Sequence, residues 1–108
     1  MKFTMSDLLK EDIWRNFYKL SQIPRPSGCM QEVADFIEDF GKNLGLETLR
    51  DKANNIIIRK PATLGYENCK TIILQSHMDM VPQKNEGTVH DFTKDPIPLL
   101  IQENWLTA

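Results

Sequence analysis

Residues 71–81 read TIILQSHMDMV, an apolar run that ends abruptly in His77, with Asp79 two positions on. Three apolar residues in a row, Ile72, Ile73 and Leu74, predict a strand over 70–76 covered on both faces, as in a central strand of an α/β sheet. Side chains two apart on extended backbone point the same way, so His77 and Asp79 can share one pocket at the strand end. In α/β sheets that end is where ligands bind. A neutral imidazole is a good zinc ligand. A carboxylate beside it can fix its tautomer and raise its basicity. The same spacing also suits a strand-end histidine that simply hydrogen-bonds a local carboxylate. As a bare motif, His-x-Asp carries little weight.

Working back from the strand, NIIIRK (55–60) and LETLRD (46–51) read as two further strands joined by the turn KANN, with Asn54 at a position suited to left-handed backbone. A helix is predicted ahead of them, capped by Ser27 and running to about Leu44, with Val33, Phe36, Ile37, Phe40 and Leu44 as its apolar stripe. Gly45 suits the left-handed position after a helix. IPRPSG (23–28) separates it from a first helix over 6–21, because each proline biases the preceding residue away from helix. Ser6 is the expected cap of that first helix. Leu9, Ile13, Phe17 and Leu20 recur at helical spacing, and Trp14 and Tyr18 widen a stripe that reads as core. Working forward, residues 82–96 look irregular, and PLLIQENWLT (98–107) reads as a hairpin turning at Glu103-Asn104.

Both helices carry a stripe wanting a sheet, so the expected fold is α/β, with two amphipathic helices packed on a mixed sheet. The 108 residues are the size of one small domain, able to bury roughly two thirds of its unfolded surface. Net charge is -2 with scattered basic residues, which argues against a nucleic-acid partner. No apolar run approaches the ~20 residues of a membrane span, and the start MKFTMSDLLKED has no signal-like apolar region. Cys29 and Cys69 are expected to be reduced thiols of a cytoplasmic protein.

KTIILQSHMDMVPQKN (70–85) closely resembles the first metal-ligand segment of the bacterial aminoacyl-histidine dipeptidases, di-zinc exopeptidases that cleave Xaa-His dipeptides. The likeness extends to IPRPSG (23–28), NIIIRKPAT (55–63) and TVHDFTKDPI (88–97), and so covers the chain from about residue 8 onward. It implies that residues 1–108 are the amino-terminal part of a zinc-exopeptidase-like, three-layer catalytic domain. It further implies that His77 ligates one of two zinc ions, and that Asp79 has an orienting and electrostatic role beside it. His90 and Asp91 lie in a matching segment but acquire no ligand role from it. Asn54 stands where such sequences usually carry glycine. The family's bridging aspartate, paired glutamates and remaining ligands have no counterpart in these residues. A catalytic zinc takes three protein ligands and keeps one position for water. The chain alone is therefore expected to be inactive and to bind zinc weakly. Two other readings stand beside this one. One is a self-standing, non-catalytic interaction domain built on the same fold. The other is a mononuclear metal protein using His77, Asp79, His90 and Asp91. Two helices are few for covering both faces of such a sheet, so self-association is also expected.

Overall fold

The computed structural model describes residues 3–108. It is an α/β fold of three helices and two small antiparallel sheets: α1 (Met5–Leu8), α2 (Asp12–Ser21), α3 (Gln31–Asn43), a hairpin of β1 (Glu47–Arg50) and β2 (Ile56–Arg59), and a second hairpin of β3 (Leu100–Gln102) and β4 (Trp105–Thr107).

The single helix expected over 6–21 is two. Thr4, not Ser6, caps α1, because a reciprocal pair forms there: the Asp7 N–H donates to Thr4 Oγ1 at 3.2 Å and the Thr4 N–H to Asp7 Oδ2 at 3.1 Å. Glu11, in extended conformation, starts α2 afresh. The stripe of α2 is not a closed core. Ile13 is 73% exposed and Phe17 46%. Trp14 meets Phe17 edge-on at 5.9 Å and lines a cleft with Phe3, Leu8, Ile101, Trp105 and Leu106.

The tightest packing lies between α3 and the β1–β2 hairpin. Val33 and Ala34 are fully buried, and Gly41 is buried one helical heptad beyond Ala34. A Cβ at Gly41 would run into Thr48 Oγ1 and come within 3.0 Å of Ile58 Cδ1, so glycine is what lets helix and hairpin approach. Gly41→Ala is expected to destabilise the chain by about 1–3 kcal/mol, the usual cost of overpacking, read as a lower urea midpoint. Helix α3 ends as expected at Gly45 (φ 71°), where the Gly45 N–H donates to the Lys42 carbonyl at 2.9 Å and the Leu46 N–H to the Gly41 carbonyl at 3.1 Å.

Antiparallel pairing sets Thr48 against Ile58 and Arg50 against Ile56 on the face toward α3. Leu49 and Ile57 point the other way and are 43% and 55% exposed, so this hairpin is covered on one face only. Asp51 organises its turn, accepting from the backbone N–H groups of Ala53 (2.9 Å) and Asn55 (2.8 Å), and Asn54 takes φ 67°. Arg50 ties turn, strand and helix together. Its Nη1 donates to Asp35 Oδ1 and Glu38 Oε2, both at 2.7 Å, and its Nε and Nη2 donate to Asn54 Oδ1. Lys42, then Arg50, hold the Glu38 carboxyl below its ordinary value of 4.5. A depressed carboxyl stabilises the fold above its unfolded-state value, and that contribution is lost as pH falls through the folded-state value. Acid titration below pH 4.5 is therefore expected to loosen α3 from the hairpin. Arg50→Met should flatten that part of the pH dependence of the urea midpoint.

The strand expected over 70–76 is not formed. These residues pair with no neighbour, and Ile72, Ile73 and Leu74 are 82%, 85% and 94% exposed. A strand exists only through its partners' N–H and C=O groups, and none of the described residues supplies them. The single mixed sheet is accordingly replaced by two separate two-stranded sheets, with one isolated parallel bridge between Pro26 and Met80. The second hairpin turns at Glu103-Asn104 as expected, with Glu103 at φ 55°. It is pinned near α2 by the Ile97 N–H donating to the Ser21 carbonyl at 2.9 Å.

The accessible surface is 9226 Å², against about 6,200 Å² for a compact monomer of this mass. The radius of gyration is 16.9 Å, against about 13 Å for a closed domain of this length. These residues do not close a core of their own.

Candidate metal-ligand site

Two stretches far apart in sequence meet here: IPRPSG after α2 and HMDM after the unpaired segment. The prolines keep residues 23–27 out of helix, which leaves their backbone groups free to pair. The Met80 N–H donates to the Arg25 carbonyl at 2.8 Å, and the Ser27 N–H donates to the Met80 carbonyl at 3.1 Å. The half-buried Arg25 donates through Nη1 to the Met78 carbonyl at 2.8 Å. Its burial pulls its pKa down, and the Asp79 charge opposes that. Ser27 does not cap α3, whose N-cap is Met30, without a side-chain hydrogen bond. Its hydroxyl donates instead to Asp79 Oδ2 at 2.6 Å.

His77 and Asp79 do come together. Nδ1 of the imidazole lies 2.7 Å from the Asp79 carbonyl oxygen and 3.1 Å from Asp79 Oδ1. A backbone carbonyl can only accept, so the ring proton sits on Nδ1 and the lone pair of the neutral ring on Nε2. The backbone carbonyl, nearer than the carboxylate, is the partner that sequence reasoning missed. The His77 side chain is 81% exposed, so the ring is open to solvent, while Asp79 is 28% exposed. The Ser27 hydroxyl, assisted by the Asp79 backbone N–H and by His77, holds the Asp79 carboxyl below its ordinary range against a smaller opposing effect of burial.

His90 and Asp91 do not join this pair. The His90 ring meets Phe92 edge-on at 4.8 Å, and its Nε2 is buried without a hydrogen-bond partner. Asp91 Oδ1 is taken by the N–H and hydroxyl of Thr93, at 3.0 and 2.6 Å. Among the described residues no group of three or more His, Cys, Asp or Glu side chains is placed to hold a metal. The four-residue mononuclear site is therefore not formed. What the site offers a cation is one imidazole nitrogen, already oriented. Arg25 and Ser27 were visible in sequence only as a helix break and a cap. A contact 52 positions away leaves no local signal.

No family model matches the sequence. Over 104 residues, 96% of its length, the chain is 48% identical to the cytosol non-specific dipeptidase of Escherichia coli (strain K12). Its fold superposes on the crystal structure of the aminoacylhistidine dipeptidase from Vibrio alginolyticus with a TM-score of 0.88 and 44% identity over 97% of the chain. The likeness is to dipeptidases. The resemblance expected from the sequence is thus found in both comparisons. The chain spans about a fifth, 21%, of the length of each of these dipeptidases.

Proposed function

We propose that the chain supplies the first metal-ligating segment of a zinc-dependent dipeptidase acting on dipeptides that end in histidine, in the cytoplasm. The observation that carries this reading is His77. Its Nδ1–H is held by Asp79 at 2.7 Å, which leaves Nε2 as the free donor, in a chain 48% identical to a cytosol dipeptidase. In this reading His77 ligates one of two zinc ions through Nε2, and the partly buried Asp79 carboxylate steadies the ring and adds negative charge beside the metal. Zinc, when bound, would lower the pKa of a water and polarise the scissile carbonyl. The donor set present fits one ligand position. A zinc-dependent dipeptidase would need further ligands and a general base, and the described residues bring no such group together. Among the described residues no helix is long and apolar enough to cross a membrane.

A dipeptidase in which residues 1–108 replace the matched fifth of the E. coli relative tests the reading. It is expected to cleave a histidine-terminated dipeptide and to lose that activity on dialysis against a chelator. A well-folded chimera that holds zinc but leaves such dipeptides intact would sink it. The chain alone is expected to show no peptidase activity and only weak zinc binding by calorimetry. The open core, with its surface of 9226 Å², favours this reading over a self-standing interaction domain.

A further inference from the structure

The hydroxyl of Ser27 has one proton to donate, and it goes to Asp79 Oδ2, the carboxylate oxygen that His77 does not use. Oδ1 is thereby left facing His77 Nδ1. A hydrogen bond to an ionised carboxylate is short and strong, and this one, at 2.6 Å, is the shorter of the two side-chain bonds that restrain Asp79. The backbone of the same residue holds the Met80 carbonyl, and Arg25 holds the Met78 carbonyl, so Asp79 is gripped from both sides. Upstream there is no such grip. Residues 71–76 pair with nothing, and the ring of His77 is largely in solvent. The direction in which the imidazole points is therefore set from the downstream side, through Asp79.

We infer that Ser27 is a positioning residue for His77: its hydroxyl fixes the Asp79 carboxylate, which with the Asp79 carbonyl keeps the ring proton on Nδ1 and the lone pair on Nε2. The functional meaning of this rests on the proposed ligand role of His77, but its test does not. In the metal-free chain labelled with 15N-histidine, long-range proton–nitrogen spectra report which ring nitrogen carries the proton. The Nδ1–H form of His77 is expected to dominate. In Ser27→Ala the share of the Nε2–H form is expected to rise about fivefold, the change that losing one ordinary hydrogen bond produces. Ser27→Thr, which keeps the hydroxyl, should restore the original ratio. Ser27 is exposed, so helix content by circular dichroism should be unchanged in both variants. An unaltered tautomer ratio in Ser27→Ala, or a threonine variant that behaves like alanine, would overturn the inference. Addition of zinc separates the two ideas. If the His77 Nε2 resonance ignores zinc in the chimeric dipeptidase, where the other ligands are present, while the Ser27 effect persists in the chain, the ligand role fails and the positioning role stands.

Discussion

His77→Ala, placed in the chimeric dipeptidase, is expected to lose bound zinc and turnover together. Removing a ligand leaves too few donors at that metal position, because a catalytic zinc normally keeps three protein ligands. Asp79→Asn should behave differently. The amide still fills the space between Ser27 and His77, and the Asp79 carbonyl still accepts from Nδ1 at 2.7 Å. Much of the metal should therefore remain, while turnover drops by roughly 10 to 100-fold, the usual effect of altering a group behind a ligand. Metal content by atomic absorption, measured beside kcat, separates the two variants. Full activity in either would remove His77 and Asp79 from the site.

The isolated chain is expected to self-associate, with residues 71–76 as the seam. Ile72, Ile73 and Leu74 are all more than four-fifths exposed, on backbone that no strand satisfies. Such a segment offers a second copy both apolar area and a row of unmet hydrogen bonds. The open faces of Leu49 and Ile57 add to it. Light scattering after gel filtration should show a dimer or larger species that binds a hydrophobic dye. Ile73→Lys should shift it toward monomer, because a charge in the seam of a symmetric pair is repeated on the partner. A wild-type chain that stays monomeric at high concentration and binds no dye would contradict this, and would favour the self-standing domain.

What sequence reasoning could reach depended on how far each feature's causes lie from it. The β1–β2 hairpin, the left-handed Asn54, the end of α3 at Gly45 and the Glu103-Asn104 turn are all decided within a few residues, and all were legible. The start of α1 was misplaced because Thr4 and Asp7 cap each other before Ser6 can act, and the break before α2 falls at Glu11, which takes extended backbone. The strand at 70–76 was read correctly as apolar, but strand formation needs partners that no local pattern provides. The fates of Trp14 and Phe17 were misread for the same reason, since an apolar stripe shows what a helix would bury but not whether anything arrives to cover it. At the site, the His77–Asp79 pairing is present as expected, but it forms across a bend at Met78 rather than along a strand. The Ser27 contact was not expected, because it depends on a chain reversal that the sequence does not mark.

That reversal has a kinetic side. Joining Ser27 to Asp79 closes a loop of 52 positions, and loop closure of that length carries about 3–4 kcal/mol of chain entropy beyond its length-independent part. Helix α3 and the β1–β2 hairpin lie wholly inside this loop and meet across shorter separations, 15 positions for Asp35–Arg50 and 12 for Glu38–Arg50, so they are the natural first elements to form. Once they are in place, the search left to the chain runs mainly through residues 60–78. The ends then meet through a few backbone bonds and the side chains of Arg25, Ser27 and Asp79. Amides of Ser27 and Met80 are therefore expected to exchange with solvent well before those of α3. The aim of His77 is thus expected to be set late in folding and to be lost early on thermal opening, before α3 lets go of its hairpin.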